Sequence, residues 1–424
     1  MAANGGAPLS AIAIAFLIAL NLGVIYLLIA APIGVRTVRL SRTINATSEK
    51  LWEAVWLLGR ETTWSGQVLE ATPVTGDMIR LRLSWRGRDD RPIERTYRVF
   101  DVIPHERFSA TVVEDNSLDP SFWANYRETI SLVGKDRTVE VTFSRTDRYR
   151  GLAMLVFRYF ALRREIGRLK SWAETGKFRQ GGIFEHPLTQ IGFAVLSAFI
   201  PWPLFGLTRT GLFYSAVLTA VVALHELGHM AAFRLMGHRR VRMIFIPLLG
   251  GVAIGGRPYD SRFEVAFVAL MGAGFSAFVV AIAWGWSVHA ASAGDIYLAN
   301  LLMIFAGCSA LFNLANLAPM WKFDGGQVLR QICPNAPALA TASFALLIVL
   351  LGFGYLAGFS TRVLIVAGVV VALLSLITAG SGVKPRYELK PILRRDRWAM
   401  AAALMAVFTI HGAGVVWAAR NLIQ

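Results

Sequence analysis

Long apolar runs separated by short polar stretches dominate the 424-residue chain, and one extended segment breaks that pattern. Residues 11–31, 187–207, 211–235, 263–288, 297–317, 338–358, 363–379 and 398–419 are each apolar over roughly the 20 residues that a helix needs to cross a hydrocarbon core. They predict about eight spans. Residues 36–178 read differently. Residues 38–44 have a strand pattern, and 48–58 have helical spacing, with Leu51, Trp52 and Val55 on one side and Thr47 or Ser48 as cap. In residues 78–85, Ile79, Leu81, Leu83 and Trp85 alternate with Arg80, Arg82 and Ser84. Residues 96–102, 108–113, 126–132 and 138–144 follow similar rules. Residues 152–173 read as a closing amphipathic helix, with Leu155, Tyr159, Ile166, Leu169 and Trp172 among its apolar positions. The expected fold is a polytopic α-helical membrane protein with an inserted α+β soluble domain of about five or six antiparallel strands. The expected divisions are an N-terminal anchor (1–35), the soluble domain (36–178), a membrane core (179–383) opening with a linker at 179–185, and a basic loop with the last span (384–424).

Composition agrees with the membrane assignment: 55% of residues are hydrophobic and the mean hydropathy is +0.51. The net charge of +16 is not spread evenly. Arg36, Arg39 and Arg42 follow the first run; His238, Arg239, Arg240 and Arg242 follow the third; Lys384, Arg386, Lys390, Arg394, Arg395 and Arg397 precede the last. By the positive-inside rule these segments face the cytoplasm. The expected topology therefore has both termini outside and residues 36–178 in the cytoplasm, in a bacterial inner membrane. Membrane lipids are expected partners; nucleic acid is not, since no module interleaves aromatic and basic residues. The first run lacks a basic leader and reads as an uncleaved anchor. Cys308 and Cys333 imply no disulfide framework.

The candidate chemistry lies in the third run, as VVALHELGHMAAFR at 221–234. On a helix, His225 and His229 stand one above the other and can present two imidazoles to one ion. Glu226 sits beside them, where a carboxylate can act as general base on a water. This is the H-E-x-x-H zinc pattern, and Zn2+ is the expected cofactor. A catalytic zinc takes three protein ligands. Asp324, at the end of NLANLAPMWKFDGG (313–326), is the candidate third, because the fifth run carries it to the same membrane face. Glu264 is a weaker candidate, and His238 reads as a surface residue in a basic loop. Residues 241–256 are apolar and glycine-rich but too short for a span. They suit a strand pair, a re-entrant segment or a connecting loop, and a strand edge there could pair with an extended substrate.

Two resemblances follow from these stretches. The opening TINATSEKLWEAVW with Trp64, and the strand–helix–sheet–helix order of residues 36–176, resemble the START-like, or polyketide-cyclase-like, helix-grip family. That resemblance implies a curved sheet gripping a long helix around an apolar cavity for a hydrophobic ligand, or else a side-chain-filled structural module. HELGH joined to N-x-x-P-x-x-x-x-D-G (Asn316, Pro319, Asp324, Gly325) resembles the site-2 protease family of intramembrane zinc metalloproteases, over residues 187–379. It implies His225, His229 and Asp324 as zinc ligands, Glu226 as general base, Asn316 as a substrate or oxyanion contact, and a transmembrane protein as substrate in regulated intramembrane proteolysis. Phe275, in GAGFSAF, stands where that family usually has proline, which bears on local helix packing. The alternative expectation is a non-catalytic ion- or lipid-binding or transport protein that uses the same polar residues.

Overall fold

The computed structural model describes residues 11–135, 137–177, 187–205, 207–246, 250–378 and 386–423, so the expected linker at 179–185 lies outside the described residues. The chain forms two compact units, one mainly from residues up to 180 and the other mainly from residues beyond it.

In the first unit, α1 (Ala11–Ile29) leads into β1 (Pro32–Ile44), α2 (Ser48–Val55), β2 (Val68–Pro73), β3 (Met78–Arg86), β4 (Pro92–Ile103) and β5 (Arg107–Asp115). A short α3 (Pro120–Trp123), β6 (Arg127–Lys135), β7 (Thr138–Arg150) and the long α4 (Leu152–Thr175) complete it. The strands form one seven-stranded antiparallel sheet in the order β1-β7-β6-β5-β4-β3-β2. The first and last strands of this sheet in sequence order thus lie side by side, with Leu40 opposite Phe143 and Ile44 opposite Val139. In β3, Ile79, Leu81 and Leu83 are buried and Arg80 and Arg82 exposed, as alternation requires; Trp85, expected on the inner face, is exposed. β2 was not expected. VLEATP has no clean period of two and ends in proline, which a sheet tolerates at its edge.

α2 begins as predicted, with Thr47 Oγ1 accepting from Lys50 N (3.3 Å). It stops at Val55, three residues short of the expected end, because Trp64 Nε1 donates to Ala54 O (2.5 Å) and takes a carbonyl that a further helical turn would use. α4 packs against β1 and β7 and buries Leu162, Ile166, Leu169 and Trp172 at helical spacing. Its first turns differ. Met154, Val156, Phe157, Tyr159 and Phe160 are exposed, in the part of α4 where the helix also meets α1.

The second unit comprises α5 (Pro187–Phe199), α6 (Arg209–Leu235), β8 (Arg242–Ile246), β9 (Gly250–Ile254), α7 (Arg262–Ser292) and α8 (Ile296–Asn316). It continues with α9 (Asp324–Ile332), α10 (Ala336–Leu356), α11 (Thr361–Thr378) and α12 (Arg394–Ile423). Five helices, α6, α7, α8, α10 and α12, are long and apolar enough to cross a membrane. The remaining three expected spans are shorter apolar helices among the described residues. The second expected span is interrupted: α5 has 13 residues, or about 20 Å at 1.5 Å per residue. Pro201 and Pro203 follow it, and the chain turns there instead of continuing. α7 is the hub, packing on α6, α8, α9 and α12. Among the described residues of 241–256, Arg242–Ile246 and Gly250–Ile254 form a strand pair, antiparallel from Arg242 opposite Ile254 to Ile246 opposite Gly250.

Leu169 is fully buried and Val133 largely exposed in the same domain. Leu169→Ala is expected to destabilise the N-terminal domain by about 2–5 kcal/mol, and Val133→Thr by less than ~0.5 kcal/mol. Urea unfolding followed by tryptophan fluorescence separates the two; equal midpoints would contradict the packing described.

Candidate metal centre

The site is built where α6, α7, α8 and α9 meet. α6 places His225 and His229 one turn apart, and their Nε2 atoms lie 3.1 Å from each other. Asp324, the first residue of α9, puts Oδ2 3.1 Å from His225 Nε2 and 3.4 Å from His229 Nε2. Glu226 is the next carboxylate out: one of its oxygens and one ring nitrogen each of His225 and His229 lie within 4.8 Å of one another. The shorter direct distances make Asp324 the third inner atom. Glu226 Oε2 is instead engaged by the backbone N–H of Ala253 in β9 (2.7 Å).

The outer nitrogens of both rings are committed elsewhere. His225 Nδ1 meets Asn313 Oδ1 at 2.8 Å, and the Asn313 amide nitrogen donates to Ser309 O (2.8 Å), so the asparagine oxygen faces the ring. His229 Nδ1 donates to Val268 O (2.7 Å). With an acceptor at each Nδ1, the proton of each neutral ring sits there and both Nε2 lone pairs point inward. Asp324 Oδ2 is buried and has no hydrogen-bond donor. Three electron-rich atoms therefore converge on one buried point, a donor set that suits a divalent cation of the zinc type.

Close packing makes this convergence possible. A Cβ at Gly228 would collide with Met271 O of α7, and one at Gly272 would stand 2.5 Å from His229 Nε2 and 2.7 Å from His225 Cε1. Glycine on both sides lets α6 and α7 approach at the histidines. At α9, a Cβ on Gly325 would collide with Leu317 O and one on Gly326 with Met320 O. The Gly-Gly pair thus lets α9 start under the end of α8, which carries Asp324 to the rings. Phe275 leaves α7 unbroken across 31 residues, where a proline would have removed a ladder hydrogen bond.

Asn316, the expected substrate contact, is the last residue of α8, and its amide nitrogen turns back to Phe312 O (3.1 Å). Asn313, one turn earlier, is the asparagine that reaches His225. Its signal was available in NLAN, two asparagines three residues apart on one helix. His238 is a correction: it is buried, with Nε2 2.7 Å from Glu264 Oε1. Glu264 also pairs with Arg257 (3.0 Å) and accepts from Asp260 N (2.6 Å), so both residues brace the entry to α7. His411 of α12 is fully buried and donates from Nε2 to Ala273 O (2.9 Å), a role not anticipated from sequence.

The first unit contains a cavity of about 370 Å3, so its interior is not filled by side chains. Its lining is not purely apolar, as a hydrophobic-ligand site would be. Arg145 makes two hydrogen bonds to Glu165 (2.7 and 2.8 Å), and its Nε lies 3.4 Å from Glu128. Tyr126 donates to Glu128 (2.7 Å). Burial and the Glu128 charge push the Tyr126 hydroxyl well up. Burial acts to lower Arg145, but Glu165, Tyr126 and Glu128 outweigh it and hold the guanidinium charged. Trp123 lines the same cavity, and its indole N–H is buried without a partner.

The strand order and closing helix of the first unit agree with the helix-grip layout expected from the sequence. The chain matches no protein-family model and no curated protein. Among solved structures it is similar to the Aha1 dimer from Colwellia psychrerythraea, at 16% identity over 34% of this chain and 98% of that one, with a TM-score of 0.27. Ara h 8.0201 is similar at 12% identity over 33% and 98% of the two chains, with a TM-score of 0.27. The protein SSP2350 from Staphylococcus saprophyticus is similar at 14% identity over 35% and 98%, with a TM-score of 0.27. Nothing about activity follows from these likenesses.

Proposed function

We propose that the protein is an intramembrane zinc endopeptidase of the site-2 protease type, hydrolysing peptide bonds in or near the spans of other membrane proteins. The observation that carries this reading is the buried meeting of His225 Nε2, His229 Nε2 and Asp324 Oδ2, with Asp324 Oδ2 lacking any hydrogen donor and Glu226 alongside. His225, His229 and Asp324 would hold the ion. When bound, zinc would polarise the scissile carbonyl and lower the pKa of water. Glu226 would take a proton from the attacking water and pass it to the leaving amine. The Ala253 N–H fixes one oxygen of Glu226 and leaves the other for that transfer. Asn313 and the Val268 carbonyl hold the rings in orientation. The β8–β9 pair would receive the substrate as an added strand, since a helical amide is hydrogen-bonded within its own ladder and must unwind before attack. Asn316 would contact the substrate only after its amide leaves Phe312 O. The orientation that fits best has the site and residues 36–178 on the cytoplasmic side, following the basic loops. The soluble domain would act as a regulatory or sensing module through its cavity.

Glu226→Gln is expected to keep about one zinc per chain and to lower cleavage of a single-span substrate by roughly 100- to 10,000-fold. Asp324→Ala is expected to lose the zinc. Metal analysis and a reconstituted cleavage assay read both. Undiminished cleavage in Glu226→Gln would remove Glu226 as the general base, and a wild type that binds zinc but cleaves nothing would sink the hydrolase and leave an ion site using the same residues.

Gly272→Ala places a methyl group against both rings. It is expected to weaken zinc binding more than the same change at Gly285, a glycine of α7 with open space around it. Competition with a chromophoric chelator measures this, and equal affinities would contradict the close approach of α6 and α7.

For the soluble domain, native mass spectrometry of the full chain is expected to release a small ligand that Trp123→Phe retains less well. A protein that carries nothing in either form would remove the sensing role.

A further inference from the structure

The groove between α10 and α12 is the least explained feature of the second unit. It has a volume of about 740 Å3, within the roughly 300–1,000 Å3 of small-molecule sites. Its origin is legible in the sequence. On α10, Ala338, Ala342 and Ala345 fall on one face, opposite Ala401 of α12, and short side chains on facing helices leave space between them. Leu346, Val349, Leu404 and Met405 continue the walls as an apolar slot.

One end of the slot is different in kind. Arg394 and Arg397, one turn apart at the start of α12, line it there with Trp398. Arg397 Nε is buried and has no hydrogen-bond partner, and Trp398 is 65% exposed. A guanidinium N–H out of water without an acceptor is costly, so this end asks for an anionic acceptor. Tryptophan beside arginine at the end of an apolar helix is the composition of a headgroup boundary.

We infer that this groove binds an anionic phospholipid. Its phosphate accepts from Arg394 and Arg397, and one acyl chain lies along the α10 alanines. The dimensions agree. Ala338 to Val349 spans about 16 Å of helix at 1.5 Å per residue, close to the ~15 Å of one leaflet's hydrocarbon. A phosphate explains the buried Nε, and an acyl chain explains the slot; a free phosphate or a plain apolar molecule explains one end only. Leu329 and Ile332 of α9 form part of the wall, so the lipid also braces the helix that begins with Asp324. That last consequence rests on the metal-centre reading, whereas lipid selectivity does not.

The test uses the full chain in detergent with phosphatidylglycerol and phosphatidylcholine of matched acyl chains, and native mass spectrometry as readout. The wild type is expected to retain phosphatidylglycerol over phosphatidylcholine by about thirtyfold, roughly fivefold for each arginine near a membrane surface. R394Q/R397Q is expected to lose that preference while still binding either lipid weakly. A342F, which fills the slot, is expected to lose both lipids, and R420Q, remote from the groove in sequence, to match the wild type. Should the double variant not purify, R394Q alone is expected to lose about fivefold in preference. Equal retention of the two lipids by the wild type overturns the proposal, as does a preference unchanged in the arginine variants. Binding of inorganic phosphate that competes away phosphatidylglycerol completely would likewise overturn it, by removing the role of the chain.

Discussion

Two imidazole nitrogens and a carboxylate oxygen held within 3.1–3.4 Å of one another, away from water, are the constraint on which the second unit depends. Each atom carries a lone pair toward the same point. In a medium of low dielectric such an arrangement is unfavourable by several kcal/mol unless positive charge sits among them. That charge is either a proton on one ring or a metal ion. The outward hydrogen bonds at both Nδ1 atoms already use the proton of each neutral ring, and that is how proteins prepare imidazoles for metal. The glycine contacts are the packing counterpart of the same demand. A side chain at Gly272 would press on both rings, and one at Gly228, Gly325 or Gly326 would collide with backbone of α7 or the α8–α9 connection and push apart the elements that carry the donors.

The surroundings of the site are equally specific. α6 is apolar for most of its length, yet its polar residues cluster near its second end, and the β8–β9 pair lies against it there. Irregular or extended backbone within a membrane survives only where protein or water covers it. The strand pair places polar backbone against the histidine-bearing end of α6, where Ala253 N–H meets Glu226, while the turn after the short α5 packs against the first turns of α6 at Gly211. The buried Arg257–Glu264–His238 cluster then fixes where α7 begins, with every charged member paired.

Much of this was legible in the chain because the signals were periodic or chemical. The alternation of Ile79, Leu81 and Leu83, the stripe Ile166–Leu169–Trp172 and the HELGH spacing each encode a face, and a face is what tertiary packing uses. Asp324 could be placed beside the histidines from the direction of the spans alone. Other features left weaker traces. β2 is an edge strand with one neighbour, so nothing forces its sequence into strict alternation. α5 was read as a full span because hydropathy averages over Pro201 and Pro203, whereas the backbone responds to each. Asn313 was overlooked in favour of Asn316 because three residues along a helix turn a side chain by most of a revolution, and only coordinates decide which reaches the ring. His238 looked exposed because its neighbours in sequence are basic, while its partner Glu264 is 26 residues away.

On the proposed reading, the placement of Glu226 answers a problem that any hydrolase faces inside a membrane. The low dielectric that strengthens its electrostatics also excludes the water it consumes and keeps substrate amides locked in helical hydrogen bonds. Unwinding a substrate frees backbone groups, and each one left unpaired in hydrocarbon costs several kcal/mol. A strand edge beside the general base offsets that cost where it arises. β9 already donates one backbone N–H to Glu226 of α6, so the base and the edge that would receive the unwound peptide are joined directly. Binding the peptide as a strand and presenting its carbonyl to Glu226 and the ligand triad then become one geometric event. Had the segment between α6 and α7 been a plain loop, the base would lack its orienting donor and the peptide would lack a partner for its freed amides.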